Sequence, residues 1–133
     1  MKPRKVIVRV RTKAPTASSP EIPILSVLAK SIDDGVPTRI VIKEVLGCFD
    51  RLTDDDRKAR YPGSKKKIVE TVVKFARKNL VMKDEVFQAG EGGKPIGIWM
   101  ITPKGVERAA SLGANWKPRY AVHDAIIIEE EKR

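Results

Sequence analysis

The sequence predicts an α+β fold, a small helical core carrying a β-hairpin, with a further strand near each end. Three observations point to it. In residues 64–81, stepping about 100° per residue, Ile68, Val69, Val72, Val73, Phe75, Ala76 and Leu80 gather on one side. Lys66, Lys67, Lys74, Arg77 and Lys78 gather on the other, with Glu70 the only acid among them. Residues 85–101 hold two short apolar runs separated by a Gly- and Lys-rich turn, a hairpin pattern. Residues 5–11 alternate Val6, Val8 and Val10 with other residues, and 121–128 are largely apolar, so both read as strands.

The elements follow in order. Residues 12–20, with Pro15, Ser18, Ser19 and Pro20, read as a linker. A first helix is expected over 21–33, with Pro23 tolerated in its first turn and Ile24, Leu25, Val27, Leu28 and Ile32 inward. Asp34 and Gly35 end it, and residues 36–39 form a short strand able to pair with the hairpin. A second helix spans 40–49, with Ile42, Val45, Leu46 and Phe49 inward. Asp54, Asp55 and Asp56 form an acidic run that suits the first turn of a short helix capped by Thr53 better than a metal site. Tyr61, Pro62 and Gly63 break the chain, and Ser64 is expected to cap the basic helix. Val86, Phe87 and Gln88 form one hairpin strand and residues 96–101 the other, with 89–95 as the tip. Thr102 and Pro103 start a helix over 104–112, with Gly113 as its C-cap. Trp99 is expected in the core and Trp116 against the C-terminal loop.

The chain has 133 residues and a formal net charge of +10, which favours an anionic partner. Cys48 is the only cysteine and His123 the only histidine, so neither an intrachain disulfide nor a Cys/His zinc site is expected. Cys48, between Gly47 and Phe49, reads as a small core residue. The basic N-terminus lacks the apolar run of a signal peptide, and no stretch is apolar enough for a membrane span, so a cytoplasmic location is expected. Gly90 and Gly92 do not make a dinucleotide fingerprint, because no helix opens after them. No cofactor, metal or catalytic residue is expected. His123 beside Asp124 invites a dyad reading, but no nucleophile or second acid is placed near them by sequence. Complementary charge, a basic first strand against an acidic last one, favours their antiparallel pairing within one chain or between two chains of a homodimer.

Helix, short strand, helix, long helix and two-stranded wing is the order of a winged helix-turn-helix domain, a three-helix core plus a β-hairpin wing, here with additional N- and C-terminal strands. Several short motifs sharpen the likeness. Ile22-Pro23-Ile24-Leu25, Asp34-Gly35, Leu52-Thr53-Asp54, Tyr61-Pro62-Gly63-Ser64, Phe75-Ala76 with Leu80, and Ile98-Trp99 running on to Thr102-Pro103-Lys104-Gly105 stand in sequence. This order resembles the winged-helix domain at the N-terminus of Mrr-type restriction proteins, over residues 21–112. Residues 1–20 are then a basic arm and linker, and 113–133 a C-terminal loop, strand and acidic tail. The family's usual Arg ahead of the aromatic-Ala pair is replaced by Thr71, Val72 and Val73. Glu130-Glu131-Lys132 matches the acid-x-Lys ending of the family's nuclease only superficially, with no sheet or helices following it, so no nuclease activity is expected here.

The expected function is non-catalytic binding of double-stranded DNA, mainly through its phosphates, in a restriction-associated or transcription-regulatory role. Lys65, Lys66 and Lys67 would sit at the N-terminal end of the basic helix, where the dipole favours phosphate. Lys74, Arg77 and Lys78 would run along its solvent face, Lys94 would reach from the wing tip, and Arg39 and Lys43 from the second helix. Lysines dominate this set, which favours backbone charge over base reading. The alternative is a protein–protein interaction or dimerisation module. RNA binding is disfavoured, because aromatics are 5% of the chain and none is expected on the basic face.

Overall fold

The computed structural model describes residues 4–90 and 96–130. Their order is β1 (Lys5–Pro15), α1 (Glu21–Ala29), β2 (Val36–Pro37), α2 (Thr38–Gly47), α3 (Asp54–Lys58), α4 (Ile68–Met82), β3 (Ile98–Trp99), α5 (Pro103–Leu112), a 3-10 turn at Gly113–Asn115, and β4 (Tyr120–Glu130). These five helices, with two small antiparallel sheets β1–β4 and β2–β3, make the α+β class that the sequence predicts. No helix among the described residues is long and apolar enough to cross a membrane.

The core forms where the apolar stripes of α1, α2 and α4 meet. Ile24, Leu25 and Leu28 of α1 and Val41 and Val45 of α2 are buried in one cluster with Ile68, Val73, Ala76 and Leu80 of α4. Removing these side chains from water is the main force holding the helices together. Phe49, just past α2, is fully buried, with the rings of Trp116 and Tyr120 edge-on at 5.4 and 5.8 Å. Trp116 is anchored in turn by its indole N–H, which donates to the Ser19 carbonyl.

The short strand pairs with the hairpin as expected: Val36 faces Trp99 and Pro37 faces Ile98. The hairpin is slighter than its sequence implies. Its first strand is reduced to a single bridge, Val86 to Ile101, beside the hydrogen bond from Phe87 N–H to the Met100 carbonyl. Gly35 makes the pairing possible. Its φ is +72°, and a Cβ there would lie 2.6 Å from Ile98 Cγ2 and 2.9 Å from the Trp99 carbonyl oxygen.

Several boundaries differ from the sequence reading. The first helix stops at Ala29, and Ile32, expected inward, is 46% exposed in the turn that leads to Gly35. Cys48, expected in the core, is exposed at the C-cap of α2, with its thiol against the Glu44 carbonyl. Gly113 does occupy the C-cap of α5, but in right-handed geometry, because the chain runs on into the 3-10 turn. Thr53 caps α3 in a full capping box, its hydroxyl accepting from Asp56 N–H while the Asp56 carboxylate accepts from Thr53 N–H.

The terminal strands pair within the chain, in register from Lys5 opposite Glu130 to Pro15 opposite Tyr120. The first strand thus takes in the first four residues of the expected linker, and Ala14 is fully buried. Its ribbon turns Ala125 and Ile127 to the core and leaves Val6, Ile7, Val8 and Ile128 exposed. Two backbone hydrogen bonds of 2.9 Å, exchanged between Arg60 and Ile126, fasten β4 to the chain just ahead of α4.

Candidate nucleic-acid interface

The approach to α4 sets the geometry of the basic residues. Helix α4 begins at Ile68, not at Ser64. Its N-cap is Lys67, without a side-chain cap, and the Ser64 hydroxyl accepts from Lys66 N–H instead. Residues 61–67 fold back on themselves: Tyr61 N–H donates to the Lys66 carbonyl and Ile68 N–H to the Ala59 carbonyl. Gly63, with a φ of +74°, makes the reversal, and the Arg60 guanidinium donates to the Lys65 carbonyl. Lys65, Lys66 and Lys67 are therefore extended across the start of the helix rather than wound into its first turn.

Along α4, Lys74 and Lys78 are exposed as expected. Arg77 is not fully exposed. Its guanidinium carbon lies 5.0 Å from the centre of the buried Trp99 ring, and its Nε is buried without a hydrogen-bond partner among the described residues. Burial pulls its pKa below the ordinary arginine value, which still leaves it charged. The hairpin packs on this margin of the helix, and the opposite margin faces residues of the terminal ribbon across a recess. Phe75, expected in the core, lies on that margin and is 58% exposed, with the Lys78 ammonium 5.9 Å from its ring centre.

These side chains border one open groove of about 700 Å³ between α4, the segment before it and the hairpin. Its walls carry Arg60, Lys65, Lys66, Lys67, Lys74, Arg77 and Lys78 against a single acid, Glu70, which pairs with Lys67 at 3.7 Å. Among the described residues no carboxylate lies within ion-pair distance of Lys65, Lys66, Lys74, Arg77 or Lys78. Thr38 and Gly97 close the hairpin side, where the Thr38 N–H and hydroxyl both donate to the Gly97 carbonyl.

Six of the residues expected in the interface thus meet in the groove: Lys65, Lys66, Lys67, Lys74, Arg77 and Lys78. Arg39 and Lys43 are exposed on α2 but do not line it, and Lys94 lies outside the described residues. Sequence reasoning missed Arg60 and Phe75. Arg60 sits in no periodic segment, so nothing local marks it. Phe75 was detectable as an edge residue, since at 100° per residue it falls about 20° outside Ile68 on the rim of the apolar stripe.

The other titratable clusters are elsewhere. Arg108 reaches Glu21 at 3.0 Å and Glu85 at 2.6 Å, and Lys83 reaches Glu21 at 2.7 Å, joining α1, the end of α4 and α5. Burial opposes the Arg108 charge, but hydrogen bonds to both carboxylates outweigh it and hold its pKa above the ordinary value. His123 packs edge-on against Tyr61, with ring centres 6.4 Å apart, whereas Asp124 pairs with Arg11 at 3.6 Å. As neighbours on a strand these two point to opposite faces, which is not dyad geometry. Compared with known protein families, curated proteins and solved structures, the chain gives no match.

Proposed function

We propose that this chain is a DNA-binding protein of winged-helix type, without a catalytic step of its own, that holds duplex DNA mainly through its phosphates. The supporting observation is the groove: seven cations against one acid, with most of the positive charge unpaired. Charge of this kind costs stability through self-repulsion and is offset when a polyanion displaces its counterions. The N-terminus of α4, free of a side-chain cap, adds partial positive charge at the same place. Five of the seven cations are lysines, point charges suited to phosphate rather than to the bidentate reading of a guanine edge. Modest sequence preference is the result. The resemblance to Mrr-type N-terminal domains makes a restriction-associated or transcription-regulatory setting the one to test first.

The test is titration of a labelled duplex at several salt concentrations. With about five phosphates engaged, log affinity should fall against log salt with a slope near −4 to −5. A flat response, or no binding at low salt, overturns the reading.

The ribbon favours a second role, homodimer formation. Ile7 on β1 and Val122 and Ile128 on β4, which share one face of the ribbon, are exposed although the strands are already paired with each other. A second copy covering these side chains would remove apolar surface from water. Sedimentation of the chain and of Ile7→Glu tests this: a dimer that the substitution dissociates is expected, and a wild-type monomer excludes it.

A further inference from the structure

Phosphate binding has no use for an exposed benzyl ring, yet Phe75 presents one in the groove wall, between Lys74 and Lys78 in sequence and 58% exposed. It adds little to the core at that exposure. The same ring walls a second recess of about 310 Å³. There it is joined by Tyr61 and His123, whose rings meet at 89°, and by Val72 and Thr16. Phe75 is thus the ridge between a cationic groove and a recess walled by aromatic rings. A nucleobase has the chemistry that fits the second compartment: flat apolar faces for the rings and a polar edge for the imidazole and hydroxyl groups. The first compartment fits the phosphates attached to it. A base paired and stacked inside a duplex cannot present its face to Phe75, whereas an unpaired one can.

We propose that Phe75 stacks an unpaired base of bound DNA and passes it into the recess beside Tyr61 and His123, so that the chain prefers DNA with a short single-stranded gap over continuous duplex. The proposal rests on the groove's grip on phosphate and adds to it a preference for the state of the DNA.

The experiment measures anisotropy of two labelled DNAs at one salt concentration, a continuous duplex and the same duplex with a gap carrying 5-iodouracil. The full chain is compared with Phe75→Ala and with Phe75→Leu, which keeps the apolar bulk but loses the aromatic face. Because Phe75 is mostly exposed, both variants should melt with the parent. The parent is expected to bind the gapped DNA roughly tenfold tighter, and both variants to lose that margin while holding continuous duplex as before. Ultraviolet crosslinks from the iodouracil should map to Phe75, Tyr61 or His123. Equal affinity for the two DNAs, a margin that survives Phe75→Ala, or crosslinks confined to other residues would overturn the proposal while leaving duplex binding intact. Failure to bind either DNA would overturn both this inference and the phosphate-groove reading.

Discussion

The guanidinium carbon of Arg77 stands 5.0 Å above the Trp99 ring, so the helix that carries the lysines is joined to the hairpin by a cation resting on an aromatic face. Such a contact contributes on the order of 1 kcal/mol when partly desolvated. It makes Arg77 both a groove charge and a packing element, unlike Lys74 and Lys78.

That difference separates binding from stability. The double substitution Lys74→Glu and Lys78→Glu should lower the salt slope by about 2 and sharply weaken DNA binding. Its unfolding free energy should stay within about 0.5 kcal/mol of the parent. Arg77→Glu should weaken binding as well, and should also cost roughly 1–2 kcal/mol of stability by placing a carboxylate against the π face. Paired binding isotherms and urea unfolding curves distinguish the two.

Asp56 ties the ribbon to α3, accepting Lys13 N–H at 2.9 Å and lying 3.3 Å from the Lys13 ammonium. Burial raises its pKa, but hydrogen bonds from the backbone of Thr53 and Lys13 and from their side chains prevail and hold it below the ordinary aspartate value. A lowered native pKa means that this stabilisation is complete above about pH 4 and fades as pH falls through the native value. Asp56→Asn should destabilise the protein by about 2 kcal/mol at neutral pH, having lost one acceptor and the charge. The gap between the two proteins should narrow below about pH 4. Denaturant unfolding at neutral and acid pH checks both statements.

Arg108→Ala would leave the carboxylates of Glu21 and Glu85, each with a side chain only 4% exposed, without their shared partner. A loss of roughly 3 kcal/mol is expected, or about 10 °C in melting temperature. Arg108→Lys keeps the charge but not the planar fork and should fall in between. Calorimetry of the three proteins orders them.

Gly105 lies within α5, where Ala would ordinarily gain up to about 1 kcal/mol of helix propensity. The contacts reverse that sign. A Cβ at Gly105 would run into the Glu85 carbonyl oxygen and lie 2.7 Å from Ile101 Cγ1, while Thr102 Oγ1 holds Gly105 N–H at 3.1 Å. Gly105→Ala should therefore destabilise the protein by about 1–3 kcal/mol in thermal or chemical unfolding. A stabilised variant would mean that Glu85 and α5 separate easily.

Much of the fold was legible in the chain because its signals are local. The stripe of α4, the caps at Thr53 and Thr102, the break at Gly35 and the alternation of Val6, Val8 and Val10 each involve residues within about one or two turns of one another. The charge of the groove was legible for the same reason, since Lys65, Lys66, Lys67, Lys74 and Lys78 are close in sequence.

The amino-acid sequence alone determined which side of each helix is apolar, where the cations cluster and that the terminal strands are complementary. Tertiary structure alone decided which margin of α4 the hairpin would cover, and so why Arg77 came to rest over the Trp99 ring while Phe75 stayed 58% exposed. It also decided that the strands pair within one chain, fastened through Arg60 and Ile126. The reason is that periodicity reports an angle about a residue's own axis. Contacts between Arg77 and Trp99, or Arg60 and Ile126, depend on how distant segments close on each other, and no local pattern encodes that.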